Sequence, residues 1–138
     1  MKHFSYSEFF KSDAAEKHQV NNIPEDAQLS KVLGNIKALV LNVLDPLRAM
    51  IARPIIITSG YRSQRVNELV GGSKTSQHLS GKAADIHVQG YTPQQMNIVY
   101  RTIQMYYDFD QLIFYPSKNI IHVSWNGDKN RQESWVKA

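Results

Sequence analysis

A chain of 138 residues, 42% of them hydrophobic and 20% charged, can bury one core without staples, and we read it as a single domain over residues 1–138. It contains no cysteine, so disulfides are excluded and any bound metal has to be held by His, Asp or Glu. The net charge is +4, but Lys and Arg are scattered rather than clustered, which argues against a nucleic-acid partner and favours an anionic surface only weakly.

The N-terminus, Met1 to Glu8, lacks the apolar run of a signal peptide, so the expectation is a product made in the cytoplasm. The most apolar stretch, Ala38 to Leu47, is interrupted by Asn42 and Asp45 and is too short to span a bilayer. Ser5 and Glu8 form a capping-box pattern with Phe4 and Phe9 as a hydrophobic staple, which predicts one short first helix. Asn21-Asn22-Ile23-Pro24 ends it and starts the next. From Leu29 to Leu47, apolar residues recur at the helical period, and Pro46 is expected to kink or split this long helix near Asp45.

Residues 54–58 read as a β-branched strand, and Ser59-Gly60-Tyr61-Arg62 turns out of it. A short helix over 63–70 stops at Gly71-Gly72, and the loop that follows carries His78. Residues 83–88 form a second strand, and a Thr92-Pro93-Gln94-Gln95 start predicts a helix to about Tyr106. A hairpin over 110–115 and 120–125 follows, and then a tail that is polar apart from Trp135 and Val136. Helices first and a hairpin last imply an α+β fold with a small, mostly antiparallel sheet flanked by helices.

Strand parity brings out a constellation. Asp85 and His87 point to one face of their strand, and His122 shares one face of the last strand with Ser124. Asp85 and His122 can then face each other across one sheet, with His78 reaching in from its loop. Two imidazoles and one carboxylate suit Zn²⁺ with an open fourth position. His87 reads as an outer-shell partner or a substrate contact.

The residues Ser76-Gln77-His78, Gly81-Lys82-Ala83-Ala84-Asp85 and His122-Val123-Ser124, with Ser59 to Ser63 upstream, resemble the signature of the M15 family of zinc D-alanyl-D-alanine carboxypeptidases. The likeness extends to Leu44-Asp45-Pro46-Leu47-Arg48 and to Phe109-Asp110-Gln111-Leu112-Ile113, and is strongest to small phage-borne and bacterial members. It implies a hedgehog/DD-peptidase-like fold and zinc held by His78, Asp85 and His122. Arg62 would hold a substrate carboxylate or carbonyl, and Ser76 and Gln77 would hydrogen-bond the same end. The implied activity is hydrolysis of D-amino-acid-containing bonds in peptidoglycan stem peptides, as carboxypeptidase or endolysin-type endopeptidase. A monomer that reaches the cell wall on release or lysis is expected. The alternative is a zinc-containing peptidoglycan-binding module without turnover. One feature departs from the family: the acid usual just upstream of the last histidine is missing. Tyr115 or Asn119 stands about where it would be, and His87 is a further candidate for the proton transfer.

Overall fold

Several helix starts in this chain are set by small polar side chains that satisfy backbone groups left open in the first turn. The computed structural model describes all residues from Met1 to Ala138. The Ser5 amide donates to Glu8 Oε2 at 2.6 Å, and the Phe4 and Phe9 rings meet edge to face at 6.3 Å, starting α1 (Tyr6–Phe10). The single short helix expected here is in fact two. The chain breaks at Lys11 and restarts at Ser12, whose Oγ accepts from the Ala15 amide, as α2 (Asp13–His18).

The long helix is α3 (Asp26–Leu39), followed by a π-helical turn over Val40–Leu44 and α4 (Asp45–Ile51). The backbone stays helical throughout. Pro46 has no amide to donate and its ring would crowd the carbonyl four residues back, so the wider π turn accommodates it. Asn42 Nδ2 donates to the Ala38 carbonyl at 2.7 Å, satisfying an oxygen that the changed ladder disturbs. The remaining helices are α5 (Gln64–Leu69) and α6 (Pro93–Tyr106). α6 opens with a complete capping box, Thr92 accepting from the Gln95 amide while its own amide donates to Gln95 Oε1.

Five strands, β1 (Ile55–Ser59), β2 (Ala83–Val88), β3 (Gln111–Tyr115), β4 (Ile120–Ser124) and β5 (Glu133–Val136), form one sheet in the order β1-β2-β4-β3-β5. All neighbours are antiparallel except β3 and β5, which run parallel. The fold is therefore α+β with a mostly antiparallel sheet. β5 lies in the tail that reads as polar apart from Trp135 and Val136, and it adds the one parallel pairing.

One face of the sheet carries the core. Ala84, Ile86, Val88, Leu112, Phe114, Ile121 and Val123 pack there against apolar side chains of α3, the π turn, α4 and α6, all buried. The opposite face carries Asp85, His122, Ile113 and Tyr115, so the polar alternation read along β2 and β4 becomes the floor of a cleft. No helix is long and apolar enough to cross a membrane.

Candidate metal centre

Asp85 and His122 are direct cross-strand partners in the β2–β4 register. His122 Nδ1 lies 2.9 Å from Asp85 Oδ1. His78 comes from a 3₁₀ turn over Gln77–Ser80, where Ser76 Oγ accepts from its backbone amide, and its Nε2 is 3.2 Å from the same Asp85 oxygen. One donor atom from each of the three residues lies within 4.8 Å of the other two.

The His78 ring is held from behind. Its Nδ1 donates to the Gly60 carbonyl at 2.7 Å, which fixes the ring and aims Nε2 at the cluster. Gly60 is there because nothing larger fits: a Cβ at this position would sit 2.7 Å from both the Cα and the carbonyl oxygen of Phe9. The Tyr61 amide donates to that same Phe9 oxygen, and Asn22 Nδ2 donates to the carbonyls of Phe10 and Tyr61. The Ser59–Arg62 turn is thus clamped to the N-terminal helices, and the clamp reaches His78.

Burial is the strongest influence on Asp85 and opposes its ionisation, but hydrogen bonds from His122 and His78 and their charges outweigh it. The carboxyl is held well below the usual carboxylate range. A largely buried anion with two imidazoles around it is a donor set that could hold a divalent metal and is compatible with zinc.

Arg62 stands next to the cluster. Its Nη2 is 3.4 Å from Asp85 Oδ2, Nη1 is 3.3 Å from Asn67 Oδ1, and Nε donates to Ser59 Oγ at 3.0 Å. Ser59 is aimed inward by a β-bulge: the register shifts between Ile57 and Ser59, turning Ser59 onto the Asp85 side. Burial pulls the guanidinium below its ordinary range, while Asp85 and Tyr115 act in the opposite sense. Arginine remains a cation at neutral pH all the same.

The cluster opens into a cavity of about 710 Å³, whose lining includes Arg62, Ser76, Gln77 and Tyr115. Burial, then the Asp85 charge, raises the Tyr115 pKa, with Arg62 working against them, so the phenol keeps its proton at neutral pH. Ser76 accepts from the His78 amide and so keeps its own hydroxyl proton free to donate. Gln77 is committed inward, its Nε2 donating to Asp110 Oδ2 at 2.7 Å.

His87 and Asn119 are brought to each other and not to this cavity. His87 Nδ1 is 2.9 Å from the Asn119 carbonyl, and neither residue belongs to the lining. Asn119 sits in the β3–β4 turn at φ 55°, and its Nδ2 donates to the Tyr91 carbonyl. Nor is Asp110 free. It is fully buried and accepts from the Arg131 amide, Nε and Nη2 as well as from Gln77.

The family model for peptidase M15 matches residues 2–124. The chain belongs to the peptidase M15 family. No curated protein matches it. The match covers the M15 cluster residues, Arg62 and Tyr115, and ends before β5. Sequence reasoning missed the contributions of Lys118, Arg131, Lys137 and Gln111 to this M15 cleft. Parity along β3 would have placed Gln111 with Ile113 and Tyr115, whereas no local pattern marks Arg131 or Lys137, which flank β5, a strand paired through long-range contacts.

Proposed function

We propose that this M15 peptidase is a zinc enzyme that hydrolyses a peptide bond between D-amino acids in bacterial peptidoglycan stem peptides. The observation that carries the reading is the convergence of His78, Asp85 and His122 at the floor of a cleft, with the Arg62 guanidinium beside them. Zinc, when bound by these three residues, would polarise the scissile carbonyl and acidify a water.

The chain's own groups do the rest. Arg62, preset by Ser59, Asn67 and Asp85, offers a planar fork for the terminal carboxylate or carbonyl of the peptide. Ser76 donates a hydrogen bond to the same end. Gln77 stands at one remove from that end, its amide nitrogen donating to Asp110. Tyr115 donates its phenolic proton toward charge developing on the carbonyl oxygen, the role a neutral hydroxyl in a part-buried site can fill. His87 and Asn119 act at one remove, by fixing the turn that follows Tyr115.

A second reading rests on one observation: Asp85 is the single carboxylate in the cleft lining, so no second acid stands ready to accept a proton. That favours a zinc-containing peptidoglycan-binding module without turnover. Incubating zinc-loaded protein with purified muropeptides separates the two. Released D-Ala or split crosslinks are expected, and their absence at full metal loading would leave the binding module.

A further inference from the structure

The cleft carries more positive charge than one terminal carboxylate requires. Arg62, Lys118, Arg131 and Lys137 line it, against Asp85 as the only acid. Two of the four cations are already matched. Arg62 pairs with Asp85, and Arg131 pairs with Asp110 and lies 3.5 Å from Glu133. Lys118 and Lys137 make no ion pair, so their charge is available to a ligand. Lys118 lies over the Tyr115 ring at 5.6 Å.

Their placement is ordered by the sheet. The Lys137 amide donates to the Phe114 carbonyl at 2.8 Å, continuing the β3–β5 pairing and setting Lys137 beside Tyr115. Lys118 rises from the turn that follows Tyr115, and both lysines line the cleft together with that phenol. In the order β1-β2-β4-β3-β5, Arg62 follows β1, the His78–Asp85–His122 cluster sits over β2 and β4, and Lys137 extends β5. The cluster therefore lies between two cationic ends. Two strand spacings separate β4 from β5, about 10 Å, which an extended peptide covers in about three residues.

We propose that Lys118 and Lys137 form a second anion subsite, which binds a carboxylate carried by the substrate two or three residues from the scissile bond, on the side away from Arg62. The proposal rests on the peptidoglycan peptidase reading and names a specificity determinant within it. Lys137 comes from the tail beyond residue 124, so this preference is carried by a segment outside the family match.

The test uses the peptide L-Ala-γ-D-Glu-L-Lys-D-Ala-D-Ala in two forms, with the glutamate α-carboxyl free or amidated. Binding to zinc-loaded full-length protein is measured by calorimetry, and release of D-Ala is followed separately. The free acid should bind about fivefold more tightly per engaged lysine, the scale of an exposed ion pair, and the difference should shrink with added salt. Lys118→Ala and Lys137→Ala should each narrow the acid-to-amide ratio, their combination should bring it to about one, and Lys137→Glu should narrow it further than Lys137→Ala. Both lysines are exposed, so these variants do not disturb the core. Equal binding of the two peptides by wild type, no binding of either, or an undiminished ratio in the double variant would overturn the subsite. Failure of the peptidase reading is seen on its own, as acid-selective binding without release of D-Ala.

Discussion

Asp85 sits at the meeting point of three interactions. His122 and His78 both approach its Oδ1, and Arg62 approaches Oδ2. Removing His122 takes away one of three donors, so His122→Ala should lose more than about 100-fold in zinc affinity, beyond the usual cost of an outer-shell change. One zinc per wild-type chain and none in the variant is the expected result of metal analysis; equal metal in both would refute the ligand set. Tyr115 should separate from the ligands in kinetics. Tyr115→Phe keeps the ring under Lys118 but removes the donor, and kcat on a muropeptide should fall by about 10²-fold with KM little changed. Gly72 is a third residue of consequence. A Cβ there would lie 2.0 Å from Asn67 Oδ1 and 3.1 Å from Arg62 Nη1. Gly72→Ala has to displace Asn67, freeing one side of the guanidinium, and should raise KM about fivefold, the worth of one hydrogen bond, while leaving metal content unchanged.

Among the elements, the π turn between α3 and α4 keeps one helical rod continuous past Pro46 and sets Asp45 where it can accept from the amides of Lys2 and His3, at 2.8 and 3.1 Å. The N-terminal segment is thereby tied to the rod just before Phe4 packs on Phe9. Phe9 in turn is the wall against which Gly60 lies, and Gly60 orients His78. Asp45→Ala leaves two amides without their acceptor and should cost about 1–3 kcal/mol, read as a lower urea midpoint at unchanged m-value. The bulge in β1 works at the same scale. Without its extra residue Ser59 would point away from Asp85 and Arg62 would lose its Nε partner.

Over the whole molecule, Asp110 is the group that ties the tail to the site, joining Gln77 beside the His78–Asp85–His122 cluster to Arg131 ahead of β5. Hydrogen bonding from Arg131 is the main cause that holds its carboxyl below the ordinary range, with burial opposing and Gln77 assisting. A carboxylate depressed in this way contributes stability that is complete above the unfolded value of about 4 and is lost as pH falls through the lower folded value. The stability gap between wild type and Asp110→Asn should therefore be widest near neutrality and close on the acid side. Thermal unfolding across that range checks it, and a gap that does not narrow in acid would remove Asp110 from the account. How much of this was legible beforehand depends on range. The capping boxes at Ser5 and Thr92, the apolar period of α3 and the alternation along β2 are local patterns, and each is where the sequence places it. The cluster was legible too, because period-two parity sends Asp85 and His122 to one face whichever strands lie between them. β5 was not, since Glu133 to Val136 is short, largely exposed and paired in parallel through contacts distant in sequence. Nor was the setting of His87 and Asn119, because parity assigns a face but not a position along it. By itself the sequence determined which residues cap, alternate and bear charge, as these follow from neighbours along the chain. Only the tertiary structure decided that Tyr115 faces the cluster, that Asp110 is locked and that Lys137 reaches the cleft, because each depends on which strand lies beside which.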